Sequence, residues 1–199
     1  MRCEHLSGHP DFLSLATIKG LRVDLRYATD DNFVGRNLYG ELDCAWVHRE
    51  AGAGLSTAVT WLQQHYPGTG LLLLDALRPH RVQVELWEHL KDTDLRQYLA
   101  DPARGSIHSF GMAVDVTLVD SAGRELDMGT GFDALTLLSH PRHEEENLKL
   151  GLLSDIHIAN RLVLRKAMCE SGFEGISSEW WHFDFGDRNR VRSHYLRVE

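Results

Sequence analysis

Residues 106–115 read Ser106-Ile107-His108-Ser109-Phe110-Gly111-Met112-Ala113-Val114-Asp115, and Glu179-Trp180-Trp181-His182 stands near the other end of the chain. Together they offer two imidazoles, a carboxylate, and a second carboxylate just ahead of the last imidazole. A catalytic zinc site needs about three protein ligands of these kinds, an open position for water, and a nearby base to take that water's proton. His108, Asp115 and His182 fill the ligand places, and Glu179 fills the role of general base and then acid. Gly111 permits a tight return of the chain between the first two ligands. The expected chemistry is hydrolysis, with one zinc ion per chain.

Each of these residues also has a bland reading. The chain holds 12 histidines, and most lone histidines are exposed or satisfied by a neighbour. Glu179 lies three residues before His182, so in a strict strand the two face opposite sides. For both to reach one metal the backbone must turn or bulge near Trp180, with the two indoles packing to fix it. Arg78 follows a buried apolar run and precedes Pro79; its guanidinium can stabilise an oxyanion or simply pair with Asp75. Asp133, in Gly129-Thr130-Gly131-Phe132-Asp133, reads as a helix cap or as the partner of a substrate ammonium. His140, His143 and the run Glu144-Glu145-Glu146 suit a metal by type, but such crowding on a polar stretch reads as a solvated face and stays outside the site.

The elements that must position these groups follow from periodicity. Residues 18–27 alternate as a strand, and 33–46 form an ordered loop. Leu55, Val59 and Leu62 fall at helical spacing over 49–66, where Pro67-Gly68 stops the pattern. Leu71-Leu72-Leu73-Leu74 is a short buried strand ending at Asp75, and Pro79 opens a helix over about 80–99. Val114, Val116 and Leu118 alternate with Asp115 and Thr117, a strand with one apolar and one polar face. Residues 126–136 form a glycine-bearing loop, 155–171 a helix, and 173–185 contain a last strand. The class is α+β, one domain over 1–199, a largely antiparallel sheet with packed helices and the zinc site at one edge of the sheet.

Composition narrows the partners. Lys plus Arg total 21 against 29 Asp plus Glu, a net charge of −8, with no basic stripe. Nucleic acid and anionic membrane surfaces both need a positive footprint and are excluded. No apolar run reaches membrane-spanning length. The N-terminus carries acid, histidine and proline where a signal peptide would be apolar, so the expected location is the cytoplasm. Cys3, Cys44 and Cys169 are scattered and odd in number, which suggests free thiols and leaves any metal to histidine and carboxylate. Oligomeric state leaves no readable period.

These residues carry a resemblance. Asp24-Leu25-Arg26-Tyr27-Ala28-Thr29, Asn32-Phe33-Val34-Gly35, Asp75-Ala76-Leu77-Arg78-Pro79, Ser106 through Asp115, Met128 through Asp133, and Glu179 through His182 resemble the VanX type of D-alanyl-D-alanine dipeptidase. The S-x-H-x-x-G-x-A-x-D and E-x-W-H blocks are shared with D-alanyl-D-alanine carboxypeptidases and murein endopeptidases, while the remaining blocks favour the dipeptidases. The resemblance implies that His108, Asp115 and His182 bind zinc, that Glu179 is the base, and that Arg78 stabilises the transition state. It also implies that Tyr27, Asp75, Ser106 and Asp133 surround a small dipeptide, the last holding its ammonium. Phe110 stands where the resistance-associated members commonly carry a basic residue, and the segment before Ser106 is shorter than theirs. A related carboxypeptidase or endopeptidase acting on longer cell-wall peptides is the alternative of the same class. A non-catalytic zinc module and a metal-free small-molecule carrier are alternatives of other classes.

Overall fold

In the computed structural model, which describes residues 1–199, chain order gives β1 (Phe12–Ser14), β2 (Arg22–Val23), β3 (Trp46–His48), α1 (Arg49–His65), β4 (Gly70–Asp75), α2 (His80–His89), β5 (Ala113–Val119), α3 (Glu144–Lys149), α4 (Asp155–Cys169), β6 (Phe173–Gly175), β7 (His182–Phe185) and α5 (Arg188–His194). Five strands form one sheet in the order β2-β4-β5-β7-β6, in which only the β2–β4 pair is parallel. β1 and β3 make a separate antiparallel pair. This is the α+β, largely antiparallel arrangement expected.

One face of the sheet carries the main core. Leu71 and Leu73 of β4 and Val114, Val116 and Leu118 of β5 pack with Leu55, Ala58, Val59 and Leu62 of α1 and Leu164, Ala167 and Met168 of α4. The side chains of α1 recur at three- and four-residue intervals, so a single stripe of the helix is buried. Asp115 and Thr117 alternate to the opposite face, as the sequence suggests. That face is not solvated, however: Asp115 is 2% exposed and Thr117 fully buried. Loops 24–45 and 126–136 and the turn before β5 cover it, and the cover makes a polar cavity possible there.

Several expected boundaries move. The strand over 18–27 shrinks to Arg22–Val23, because Gly20 turns the chain at φ +82° and Arg26–Ala28 coil into a 3-10 turn. The helix over 80–99 ends at His89. There Thr93 Oγ1 donates to the Leu90 carbonyl, a local bond that competes with helix propagation, and the exposed stretch Lys91-Asp92-Thr93-Asp94 has no apolar stripe to bury. A separate 3-10 turn, Asp94–Tyr98, follows. The acidic run is only partly a solvated face. It forms α3, whose Glu144 is buried between Arg161 and Arg165, while His140 is buried against the Tyr98 hydroxyl at 2.9 Å.

Two backbone features set up the functional end of the sheet. The β4–β5 ladder slips between Leu73 and Asp75, so that Asp75 lies opposite Asp115. Residues 107–110 form a 3-10 turn closed by Gly111 at φ +65°, after which the chain enters β5. A Cβ on Gly111 would stand 2.8 Å from the backbone nitrogen of His48, which cannot yield as a flexible side chain would. We therefore expect Gly111→Ala to lower unfolding free energy by about 2 kcal/mol or more, from left-handed strain plus the clash. Denaturant titration of the purified variant measures it.

Candidate active site

His108 comes from the 3-10 turn before β5, Asp115 from the middle strand, and His182 from the neighbouring strand, where the antiparallel register places it directly opposite Asp115. The three therefore meet at the central strands, not along an outer edge of the sheet, because the pairing of β5 with β7 brings them together. His108 Nε2 and His182 Nδ1 are 3.1 Å apart, and Asp115 Oδ1 lies 3.5 Å from the first and 3.0 Å from the second. Ligands about 2.0–2.1 Å from a tetrahedral ion are separated by about 3.3 Å, so the spacing fits one divalent cation.

The outer nitrogens fix which atoms face inward. His108 Nδ1 donates to the Ala76 carbonyl at 2.8 Å, leaving Nε2 as the inward lone pair. His182 Nε2 contacts Asp184 Oδ1 at 2.9 Å, leaving Nδ1 inward. Asp184 is also held by Arg188 at 2.5 Å. Carboxylate and carbonyl partners of this kind orient metal-binding imidazoles and raise their basicity. Burial alone pushes the His182 imidazole down, but Asp184 and Asp115 overcome it and hold it well above its ordinary value. Burial likewise works against the Asp115 carboxylate, and the two imidazoles hold it far below the usual range. The cluster thus calls for positive charge at its centre, which a bound dication supplies.

Arg78 is buried and fixed on three sides. Its Nε and Nη2 donate to Asp75 Oδ2 at 3.0 and 2.8 Å, Nη1 donates to Gln83 Oε1 at 3.2 Å, and Nη2 reaches Asp115 Oδ2 at 3.4 Å. One guanidinium thereby bridges two carboxylates that the strand register sets side by side. Asp75 is fully buried behind it and also accepts from the Tyr39 hydroxyl. The Arg78 guanidinium lies 4.8 Å from the centre of the Tyr27 ring, and the Tyr27 hydroxyl donates to Asp133 Oδ1 at 3.1 Å.

Tyr27, Arg78, Ser106, His108, Asp115, Asp133, Glu179 and His182 line one cavity, and Asp75 stands outside it. Glu179 stands just ahead of a bend at Trp180-Trp181 that leads into β7, as the spacing requires. Trp180 fixes that bend by donating to Thr130 Oγ1 at 2.8 Å, and Trp181 packs edge-on against Trp180 and Phe132. Burial raises the Glu179 carboxyl to about 7, with His182 opposing and Asp115 reinforcing the rise. Asp133 is held at φ +59°, a left-handed conformation rare outside glycine, and its Oδ2 is buried without a hydrogen-bond partner. The loop carrying it is framed by Arg161 of α4, which donates to the Met128 and Leu138 carbonyls.

Sequence reasoning missed Asp184, Tyr39 and Gln83. Asp184 had a signal: it stands two residues after His182, hence on the same face of the strand. Tyr39 and Gln83 had none, since loop closure brings the first to Asp75 and a helix turn brings the second to Arg78. Asp184→Asn is expected to weaken divalent-metal affinity by about 10- to 100-fold while leaving the fold intact, measured by competition with a chromophoric chelator.

A family model described as D-Ala-D-Ala dipeptidase matches residues 10–199. A D-alanyl-D-alanine dipeptidase of Escherichia coli K12 is 37% identical over 180 residues, covering 90% of this chain and 86% of that protein. Its counterpart in Enterococcus faecium is 31% identical, with 89% and 92% covered, and that in Streptomyces coelicolor is 34% identical, with 83% and 86% covered. A solved LdcB LD-carboxypeptidase aligns over 92% of this chain and 72% of its own, at 14% identity and a TM-score of 0.47, too loosely to bear on the reaction. Near-complete coverage, together with two imidazoles and a carboxylate that share a cavity with a half-buried glutamate, gives one conclusion: the chain belongs to the D-Ala-D-Ala dipeptidase family of metallopeptidases.

Proposed function

We propose that this protein is a zinc-dependent dipeptidase that hydrolyses D-alanyl-D-alanine to two D-alanines, acting as one domain. The observation that carries the reading is that the three converging ligand atoms open on the same cavity as Glu179 and Arg78. His108, Asp115 and His182 would hold one ion per chain. When bound, such an ion polarises the substrate carbonyl and lowers the pKa of water at its open position. Nitrogen and carboxylate donors at tetrahedral spacing suit zinc.

The protein's own groups supply the rest. Glu179 accepts a proton as water attacks the carbonyl carbon, and it returns that proton to the departing amine as the C–N bond breaks. A carboxyl near 7 can do both at neutral pH. Arg78, fixed by Asp75 and Gln83, retains an Nη1 N–H for the carbonyl oxygen as that oxygen gains charge. Asp75 acts here by aiming Arg78, without touching substrate. Asp133 is the counter-ion for the substrate's ammonium, with Tyr27 orienting it, and Ser106 offers a hydroxyl beside His108. The cavity holds about 240 Å³, below the roughly 300–1,000 Å³ of sites for drug-sized ligands, which favours a small substrate. No helix is long and apolar enough to cross a membrane, and three free thiols accord with a cytoplasmic location.

Three outcomes are expected. The zinc-loaded protein should cleave D-alanyl-D-alanine and leave its N-acetyl form nearly untouched, since acylation removes the ammonium and strands buried Asp133. Comparable turnover of the acetylated peptide would replace this reading with a D,D-carboxypeptidase. His108→Ala should lose both metal and activity, whereas Glu179→Ala should keep about one ion per chain and lose roughly 100- to 10,000-fold in kcat; elemental analysis beside kinetics separates the two. Finally, Glu179 works as a base only when ionised, so kcat/KM should rise with pH along an acid limb. Its apparent pKa should be no higher than about 7, because a neighbouring dication favours the ionised form.

A further inference from the structure

The mechanism leaves one end of the cavity unused. Past His182 and Asp184, the guanidinium groups of Arg188 and Arg192 line the same cavity as the metal-binding cluster, and with Arg104 they line the polar recess adjoining it. Arg192 is half-buried, its Nε donating to the Gly105 carbonyl at 3.0 Å. Burial and the nearby charges of Arg104 and Arg188 push its guanidinium down. The acids at this end are largely spoken for. Asp184 is engaged by His182 and Arg188, Asp187 accepts from the Arg190 backbone N–H, and Glu174 is exposed. In a chain of net charge −8, this is a local excess of cations, two of which line the same cavity as the metal-binding cluster.

Its position relative to Asp133 is set by an unbroken series of contacts. Asp133 meets Tyr27 at 3.1 Å, Tyr27 lies under Arg78, Arg78 reaches Asp115 at 3.4 Å, Asp115 meets His182 at 3.0 Å, His182 meets Asp184 at 2.9 Å, and Asp184 meets Arg188 at 2.5 Å. Along that series, and within one cavity, the metal-binding cluster stands between a carboxylate with a buried, unpaired oxygen and a cationic end. A free dipeptide has the complementary polarity, an ammonium on one side of its single peptide bond and a carboxylate on the other. Guanidinium groups bind carboxylates through paired, charge-assisted hydrogen bonds.

We propose that Arg192, assisted by Arg188, forms the subsite for the substrate's free C-terminal carboxylate, on the side of the departing amino acid, and so determines specificity for peptides ending there. This rests on the dipeptidase reading for which end of the substrate lies where. Arg192 is the better test, because Arg188 also holds Asp184.

The experiment compares D-alanyl-D-alanine with its C-terminal amide, D-alanyl-D-alaninamide, on zinc-loaded wild type, Arg192→Met and Arg192→Lys. Wild type should prefer the acid. In Arg192→Met that preference should fall about 10- to 100-fold, mainly through the KM of the acid, at unchanged zinc content, with partial recovery in Arg192→Lys. An unchanged acid-to-amide ratio in Arg192→Met overturns the assignment. Should the variants misfold, inhibition of wild type by D-alanine and by D-alaninamide decides: stronger inhibition by the acid supports the subsite, equal inhibition overturns it. The dipeptidase reading fails by a different result, equal cleavage of N-acetylated and free substrate, and the acid-to-amide ratio still decides the arginines.

Discussion

Three lone-pair-bearing atoms, from His108, Asp115 and His182, are held 3.0–3.5 Å apart where little water can reach them, and this one constraint organises the rest of the site. Burying a carboxylate against the lone pairs of two imidazoles is costly unless a cation stands among them. Every surrounding feature serves that arrangement. The β5–β7 register delivers Asp115 and His182 to the same face, and the turn closed by Gly111 swings His108 back towards them. Ala76 and Asp184 occupy the outer nitrogens so that neither imidazole can present the wrong edge.

The same electrostatics separate the roles of the acids. Asp115, flanked by two imidazoles and Arg78, is held ionised, while Glu179, half-buried and without a bonded cation, is raised by desolvation to about 7. Two carboxyl groups in one cavity are thus pushed apart, as the proposed division into a metal ligand and a proton-exchanging base requires. Asp75 and Asp115 would repel across the strand ladder without Arg78 between them. The arginine is therefore the brace of the site, with an Nη1 N–H left over for the proposed contact with the reacting carbonyl. Asp133 pays in backbone strain for its position at the far wall.

Much of this was legible in residue types and spacing. Gly111 marked a return of the chain and adopts the left-handed conformation, and the demand for a bend between Glu179 and His182 is met at Trp180. Asp75 and Arg78 three residues apart suggested an ion pair, and the pair forms. Illegible were the features that arise from tertiary closure. The Leu73–Asp75 slip, which brings Asp75 opposite Asp115, has no local signal. Neither does the cover that turns the polar face of β5 into a buried cavity floor. The helix expected over about 80–99 ends at His89, where the exposed stretch 91–94 offers no stripe to bury and Thr93 bonds locally to the Leu90 carbonyl.

The central claim is that one divalent ion sits among these three side chains. Anomalous diffraction at the zinc edge from crystals of the zinc-loaded protein tests it most directly. The account predicts a single strong peak within bonding distance of His108 Nε2, Asp115 Oδ1 and His182 Nδ1. A metal bound elsewhere, or these side chains turned away from one another around an ordered water, would contradict it.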